Sequence, residues 1–367
     1  MFARLARTLT TRTQRLTRTA QASFSVSTSS AAQSGLLAPF TTSTYEPKGS
    51  ATRILVTGAT GQIGSDLVTA LRSKYGVKNV IASDVKVPAP NYSTGPFVYL
   101  DVMDKTAMAK IIVEHQVDWV VHLASLLSAV GEKNPQLAMT LNTRGIENVL
   151  ELANQYKLRV FAPSTIATFG ATTPRDDTPD LTIMRPSTMY GVTKVYLELL
   201  GEYYHQKFGV DFRSVRYPGI ISNSAMPGGG TTDYAVDIYH QALLHGKYTC
   251  FLRPDTKMPM MYAPDSTKAA MDLLAAPRER LTQCTYNITG FSFTPEELAA
   301  VIKRRLPNFT IDYKPDFRQA IADSWPRSLN DNNARRDWDW NPAYDIESMT
   351  DDMIAALRLK YRLPASN

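Results

Sequence analysis

The chain has little cysteine and no cysteine cluster. Its 367 residues include only Cys250 and Cys284, and neither belongs to a CxxC pair or has a histidine at ligand spacing. A disulfide framework, a structural zinc site and an iron–sulfur centre all need more closely spaced ligands than these. We therefore expect no bound metal, and any chemistry must use other side chains.

Long hydrophobic runs are also missing. A membrane-spanning helix needs roughly 20 consecutive apolar residues, and no uncharged apolar stretch approaches that length. The sequence thus predicts no integral membrane segment.

At about 100–200 residues per domain, a chain of 367 residues should form two lobes.

Acidic residues are absent from the N-terminus. The net charge of +6 divides into +5 for residues 1–45 and +1 for the rest, where 35 basic residues face 34 acidic ones. A charge that is confined to one terminus leaves no basic field over the folded body. We therefore expect no nucleic-acid partner.

The basic N-terminus has the pattern of a targeting segment. On a helical wheel its apolar side chains fall opposite most of the arginines; they are Phe2, Leu5, Leu9 and Leu16. A Ser/Thr/Ala-rich stretch follows over residues 20–34. An arginine-rich, acid-free composition is typical of organellar transit peptides, so residues 1–50 are predicted to direct the chain to the mitochondrial matrix. A plastid transit peptide, a disordered basic tail and a membrane-surface helix are the alternatives.

Short β-branched runs alternate with helical stretches after Arg53. There are six such runs: residues 54–58, 80–84, 97–101, 118–124, 158–164 and 212–218. Parallel strands need crossover helices and are apolar on both faces. The sequence therefore predicts an α/β fold with a Rossmann-like doubly wound parallel sheet.

The pattern changes beyond Pro218. A glycine run (227–230), a strand-like segment (284–290) and a helix opened by residues 294–297 indicate a smaller mixed lobe. We assign residues 51–220 to a dinucleotide-binding domain and 221–367 mainly to a substrate lobe, leaving open a return of the chain to the sheet.

A glycine-rich turn follows the first predicted strand and opens a helix. Its sequence is GATGQIG, from Gly58 to Gly64, and Asp84 ends the second strand 20 residues later. Glycine lets the backbone approach a pyrophosphate, the helix N-terminus supplies N–H groups, and the carboxylate can bind a ribose. A dinucleotide site is predicted, with NAD favoured because Asp84 would repel a 2′-phosphate. An ordinary glycine-rich turn is the alternative.

Tyr190 and Lys194 stand at positions i and i+4 of a helix predicted over residues 187–208 and ended by Gly209, and they lie on one face of it. A phenol has an ordinary pKa of about 10, and a nearby cation favours the phenolate, which can then act as a general base. An ordinary helix pair is the alternative. Ser164 and Thr165 end the fifth strand and offer a hydroxyl at the ligand edge of the sheet.

These segments together resemble the extended short-chain dehydrogenase/reductase family. The matching segments are GATGQIG, Asp84, Asp101, HLAS (122–125), LNTRGIENVLE (141–151), PSTIATFG (163–170) and YGVTK (190–194). The resemblance implies that Tyr190, Lys194 and Thr165 are catalytic, with Thr165 rather than Ser164 as the reactive hydroxyl. It also implies a set of NAD-binding residues: Gly58, Ala59, Thr60, Gly61, Gln62, Ile63, Gly64, Asp84, Asp101, Val102, Leu123, Ala124, Asn142, Tyr190, Lys194 and Ile220.

Further segments resemble the branch of this family that oxidises the 3-hydroxyl of L-threonine. They include HLASLLSAVGEKNP (122–135), PGGGTTDYA (227–235) and ADSWPRSLND (322–331). The resemblance implies that the product is 2-amino-3-oxobutyrate, that the chain forms a homodimer, and that a CoA-dependent enzyme consumes the product on the way to glycine. The implied substrate contacts are Ser128, Thr165, Tyr190, Thr231, Thr232 and Asp233.

Two other functions are compatible with the same motifs, since a fold does not determine an activity. One is a nucleotide-sugar epimerase or dehydratase, which uses the same cofactor and the same three reactive side chains. The other is a non-catalytic NAD(H)-binding subunit of a mitochondrial complex. Two nearby polar residues have simpler interpretations: His122 as a core residue, and Arg216 as an internally paired side chain rather than a carboxylate ligand.

Overall fold

The computed structural model describes residues 51–86, 88, 94–224, 226 and 230–364. The predicted targeting segment 1–50 and most of the glycine run 227–230 lie outside these residues. Among the described helices, none has the length and apolar character to span a bilayer.

The strands form one large sheet and two small ones. They are β1 Ile54–Thr57, β2 Val80–Asp84, β3 Phe97–Tyr99, β4 Trp119–His122, β5 Arg159–Phe161, β6 Ser164–Thr165, β7 Asp211–Tyr217, β8 Gly219–Ile221, β9 Lys247–Cys250, β10 Met258–Tyr262, β11 Thr285–Asn287, β12 Phe291–Phe293 and β13 Thr310–Tyr313. The large sheet has the order β11-β7-β5-β4-β1-β2-β3, with β6 also paired to β7. All of its pairings are parallel. The predicted Rossmann-like sheet is confirmed.

The helices are α1 Gln62–Tyr75, α2 Lys105–Glu114, α3 Ser128–Gly131, α4 Pro135–Tyr156, α5 Met189–Phe208, α6 Tyr234–His245, α7 Ala263–Ala275, α8 Pro295–Arg305, α9 Arg318–Asp323, α10 Asn332–Trp338 and α11 Ile346–Tyr361. The N-cap of helix α8 is the predicted Thr294, whose side chain forms a capping box with Glu297. Helix α5 ends at the predicted Gly209, which has a left-handed φ of 71°.

Strand β1 shows why the sheet is buried on both faces. Ile54, Leu55 and Val56 are completely buried, and successive side chains of a strand point to opposite faces. Leu55 belongs to one core cluster together with helices α2 and α4, whereas Ile54 and Val56 belong to another together with α1 and α7. Helices on both faces explain the continuous apolar pattern of this strand.

One segment that we expected in the smaller lobe lies in the large sheet. Strand β11, from the predicted run 284–290, pairs in parallel with β7 at the sheet edge. Tyr286 and Ile288 are fully buried in the same cluster as β1. A short apolar run does not specify which sheet it joins, because its partner strand lies far away in sequence.

The remaining strands form the small sheets β12-β10-β8 and β13-β9. They pack with α6, α8 and α11 around a third core cluster that includes Tyr239, Met260, Leu298 and Met353. Pro218 alone separates β7 from β8, so this part of the molecule begins at the carboxyl edge of the large sheet.

Candidate active site

The predicted functional residues gather at the carboxyl ends of the parallel strands. Gly58 follows β1, Asp84 ends β2, Leu123 follows β4 and Thr165 ends β6. Because parallel strands all end at the same edge, these residues share one side of the sheet. Open α/β sheets bind their ligands there.

The turn after β1 requires glycine at two positions. Gly58 has a φ of +69°, and a Cβ there would lie 2.6 Å from the backbone nitrogen of Ala124. A Cβ on Gly64 would lie 2.4 Å from the carbonyl oxygen of Gly58. The turn therefore packs against the chain after β4 with no room for side chains.

Helix α1 begins directly in this turn with unshielded backbone donors. Its N-cap is Gly61, which supplies no side-chain acceptor, and its first turn contains no acid. The first N–H groups of a helix and the positive end of its dipole attract anions. The residues present therefore fit the pyrophosphate of a dinucleotide.

Asp84 is held next to the glycine turn. Its Oδ2 accepts hydrogen bonds from the backbone N–H of Thr60 at 3.0 Å and from the Thr60 hydroxyl at 2.7 Å. Its Oδ1 accepts from the backbone N–H of Lys86 at 3.1 Å. This arrangement places a half-buried carboxylate where a ribose hydroxyl would lie beside the pyrophosphate.

Two further residues predicted to bind the cofactor, Asp101 and Asn142, have different surroundings. Asp101 is exposed, and its Oδ1 accepts from the N–H of Met103 at 2.9 Å. Asn142 is instead buried in internal bonds: its amide accepts from the N–H of Leu126 at 2.8 Å and donates to the hydroxyl of Thr193 at 3.1 Å. The side chain of Asn142 thus ties the loop after β4 to helix α5.

The three predicted reactive side chains meet at the N-terminal end of α5. The hydroxyl of Thr165 lies close enough to the phenol of Tyr190 to lower its pKa. The ammonium of Lys194 lies 5.6 Å from the centre of the Tyr190 ring and donates to the carbonyl oxygen of Pro163 at 2.7 Å. The hydroxyl of Thr188 caps α5 through the N–H of Gly191, at 3.1 Å, which helps to fix the start of the helix.

The pKa values of this pair differ from the sequence expectation. Burial raises the pKa of Tyr190 to about 12, although the nearby hydroxyl of Thr165 acts in the opposite direction. Burial lowers the pKa of Lys194 to about 8, against the raising effect of the Glu198 carboxylate. Desolvation therefore outweighs the expected effect of Lys194 on the phenol, and a phenolate requires further positive charge in the site.

His122 and Arg216 have the internal roles that the sequence favoured. His122 is buried, its Nδ1 is hydrogen-bonded to the hydroxyl of Thr57 at 2.9 Å, and burial together with the nearby Lys194 charge lowers its pKa to about 3. Arg216 forms a buried ion pair with Glu198 at 2.8 Å. A neutral histidine and a fully paired arginine are poor candidates for substrate ligands.

The predicted substrate residues lie around the loop after β8 and at helix α3. Thr231 is buried, and the side chain of Thr232 lies against Gly219, next to Ile220. Asp233 precedes α6 and accepts from the N–H of Gly230 at 2.9 Å. Ser128 begins α3, a helix that packs on α5.

Two residues that we did not single out contribute to this region. The carboxylate of Glu132 accepts from the N–H of Met189 at 2.8 Å and so links the loop after α3 to the start of α5. Glu198 lies one helical turn after Lys194, and that i+4 spacing was the available signal. Within the part of the chain that the structure describes, no group of three or more His, Cys, Asp or Glu side chains could hold a metal ion.

A family model described as the NAD dependent epimerase/dehydratase family matches residues 54–289. Among curated proteins, the bovine protein named "L-threonine 3-dehydrogenase, mitochondrial" is 48% identical over 304 residues, which cover 82% of each chain.

Solved structures of threonine dehydrogenases are also similar to this chain. The L-threonine dehydrogenase from Phytophthora infestans is 62% identical, with a TM-score of 0.82 over 84% of this chain and 100% of that one. The holo form of the GalE-like L-threonine dehydrogenase from Cupriavidus necator is 50% identical, with a TM-score of 0.81 over 83% of this chain and 99% of that one.

Proposed function

Since the chain belongs to the NAD-dependent epimerase/dehydratase family, we propose that it oxidises the 3-hydroxyl of L-threonine to 2-amino-3-oxobutyrate and reduces NAD to NADH. The observation that carries this proposal is the meeting of Thr165, Tyr190 and Lys194, whose ammonium lies 5.6 Å from the centre of the Tyr190 ring, at the sheet edge that also holds the glycine turn. The relatives named as threonine dehydrogenases support the choice of substrate.

Each reactive side chain has a distinct role in this proposal. Bound NAD supplies the hydride acceptor and, in its oxidised form, further positive charge. Tyr190, as the phenolate, takes the proton of the threonine 3-hydroxyl, and Thr165 donates a hydrogen bond to the same substrate oxygen. Lys194 keeps positive charge next to the phenol. The hydride from Cβ of threonine would carry two electrons and one proton to the oxidised cofactor, and Tyr190 would pass the hydroxyl proton on to solvent. The substrate thus loses two protons and two electrons in all.

The cofactor-binding residues follow from the geometry of the strand edge. The turn from Gly58 to Gly64 and the N-terminus of α1 would hold the pyrophosphate, and Asp84 would bind the adenosine ribose. The description of the matching family, which names NAD, supports a bound dinucleotide. Ser128, Thr231, Thr232 and Asp233 would supply polar partners for the zwitterionic amino acid.

The cellular setting forms part of the proposal. The bovine relative is named mitochondrial, and residues 1–50 have the composition of a transit peptide. We therefore place the enzyme in the mitochondrial matrix, where a CoA-dependent enzyme would cleave the oxo product to yield glycine. The exposed side chains of Leu199 and Tyr203 on α5 and Met139 on α4 support a homodimer through these helices.

A substrate screen tests this function. Purified protein is supplied with NAD and with L-threonine, L-serine or UDP-sugars, and NADH absorbance is followed alongside epimer analysis of the sugars. We expect turnover with L-threonine. Turnover with a UDP-sugar alone would make the chain an epimerase, and absence of both would favour a non-catalytic subunit.

Replacing Tyr190 tests the assigned base. Tyr190→Phe should lower kcat by about 10² to 10⁴-fold, the usual contribution of a general base, and leave the affinity for NAD unchanged. The matched control is Tyr196→Phe on the same helix, where the phenol donates instead to Glu147 at 2.8 Å. Equal kcat values for the two variants would remove Tyr190 as the base.

A further inference from the structure

A buried ion pair between Arg216 and Glu198 lies next to the reactive side chains, since Glu198 is one helical turn from Lys194. The guanidinium of Arg216 donates to both carboxylate oxygens of Glu198, at 2.9 and 2.8 Å. The two side chains are only 5% and 4% exposed. A paired geometry of this kind is short, strong and directional, so the carboxylate of Glu198 has one defined position.

The ion pair is anchored on its far side as well. The remaining guanidinium nitrogen of Arg216 donates to the carbonyl oxygen of Asp180 at 2.8 Å and to Oδ1 of Asn287 at 3.0 Å. The contact with Asn287 ties Arg216 to the edge strand β11. The buried charges are compensated and each guanidinium nitrogen donates a hydrogen bond, which helps a buried ion pair to be tolerated.

The carboxylate of Glu198 also reaches the strand that carries the reactive hydroxyl. Its Oε1 accepts a hydrogen bond from the hydroxyl of Ser164, the residue directly before Thr165. Strand β6 consists of these two residues alone, and it pairs with β7 in the register Ser164↔Arg216 and Thr165↔Tyr217. So short a strand has few bonds of its own to fix its direction.

The hydroxyl of Thr165 is itself constrained. Its Oγ1 accepts from the N–H of Ala167 at 3.2 Å, which leaves its proton to be donated towards the phenol of Tyr190. A small rotation of β6 would break both contacts. A side-chain anchor one residue earlier, at Ser164, opposes this rotation.

We infer that Glu198 is a positioning residue of the reaction centre, which acts through Ser164 to hold the hydroxyl of Thr165 against the phenol of Tyr190. The contacts above support the geometry of this inference. Its consequence for catalysis rests on the proposed function. Glu198 also lies one turn from Lys194 on α5, and its charge raises the pKa of that ammonium. One carboxylate thus acts on two of the three reactive groups.

The test removes the link and leaves the ion pair in place. Ser164→Ala deletes the hydroxyl that reaches Glu198, whereas Glu198→Gln would leave Arg216 buried without a countercharge and could prevent folding. The matched control is Ser214→Ala on β7, which is equally buried and has a hydroxyl with no hydrogen-bond partner. Misplacement of a reacting group by about 1 Å costs on the order of 10²-fold. We expect Ser164→Ala to lower kcat by about 10- to 100-fold, with the KM for NAD unchanged, and Ser214→Ala to leave both unchanged.

A double variant separates positioning from general loss of structure. If Ser164 acts through Thr165, then Ser164→Ala should cause no further loss of kcat in a Thr165→Ala background, because coupled residues are not additive. The same fold-loss in both backgrounds, or no loss in the wild-type background, would overturn the inference.

A readout without turnover keeps the two proposals distinct. In ligand-free protein with isotope-labelled tyrosine, the NMR resonance of the Tyr190 Cζ, assigned by its loss in Tyr190→Phe, reports the surroundings of the phenol oxygen, including the Thr165 hydroxyl. Thr165→Ala and Ser164→Ala should shift it in the same direction, and Ser214→Ala should not. A resonance unmoved by Ser164→Ala would refute the positioning role, even if L-threonine is oxidised. The expected shift would support the role even in a protein that does not oxidise L-threonine, a result that would overturn only the proposed function.

Discussion

Replacing Lys194 by methionine should stabilise the protein at neutral pH while removing activity. Lys194 is 6% exposed, and burial lowers its pKa from 10.5 to about 8. At about 1.4 kcal/mol for each pKa unit, keeping the ammonium charged in the folded state costs roughly 3 kcal/mol. Methionine has a similar length and flexibility without the charge.

A lost hydrogen bond opposes this gain. The ammonium of Lys194 donates to the carbonyl oxygen of Pro163, and an unsatisfied buried acceptor costs about 1–3 kcal/mol. The expected net effect of Lys194→Met is therefore an increase of between about zero and 2 kcal/mol in the free energy of unfolding below pH 8. Activity should fall, because Lys194 belongs to the proposed reaction centre.

The difference in the free energy of unfolding between Lys194→Met and the wild-type protein should change with pH in a defined direction. Below a pH of about 8, folded and unfolded wild-type chains both hold the Lys194 proton, so the burial cost is fully present. Between about 8 and 10.5 only the unfolded chain holds the proton, and the wild-type protein gains stability as the pH rises. The advantage of Lys194→Met should therefore shrink across this window.

Urea unfolding of both proteins at a series of pH values measures this difference. The control is Lys110→Met, whose side chain is 71% exposed and whose effect should stay within about 0.5 kcal/mol. If Lys194→Met were less stable than the wild type at neutral pH, by an amount that does not change up to a pH of about 10, the burial cost assigned to Lys194 would be wrong.

Two further predictions concern the cofactor site. Gly58→Ala should destabilise the protein by at least about 2 kcal/mol and weaken NAD binding, because its Cβ would lie 2.6 Å from the Ala124 nitrogen at a φ of +69°. Gly61→Ala, where the nearest atom is 3.3 Å away, is the matched control in thermal unfolding, and equal losses of stability would contradict the assigned clash; NAD titration of Gly58→Ala checks the loss of binding. Asp84→Ser should raise the ratio of kcat/KM for NADP to that for NAD by at least about tenfold, because it removes the charge that repels a 2′-phosphate; an unchanged ratio would show that another group recognises the ribose.

Local sequence patterns were sufficient to predict most of the strands, helices and turns around the site. The apolar runs of β1 and β2, the glycine turn before α1 and the end of α5 at Gly209 were all predicted from neighbouring residues. Such features depend on φ preferences, side-chain periodicity and caps, which act over a few residues. The i+4 spacing of Tyr190 and Lys194 belongs to the same class.

The short segment that became β11 shows where local patterns fail. Its strand character was evident, but its place beside β7 depends on burial of Tyr286 with residues more than 200 positions earlier. The buried amide of Asn142 likewise bonds to Leu126 and Thr193, which lie 16 and 51 positions away in the chain and which the sequence does not identify as its partners. A residue type indicates which bonds a side chain can form, but not which partners the fold brings to it.

The sequence by itself determined the sheet class, the glycine turn before α1 and the three residue types that we propose to react, because each is recognised from a short local pattern. Tertiary structure alone decided how those groups behave. It buries Tyr190 and Lys194, which shifts their pKa values in opposite directions, and it brings Ser164, Glu198 and Arg216 together from three separate elements. Solvent exclusion and long-range contacts arise only when the chain is packed, and these effects govern the electrostatics and the alignment of the site.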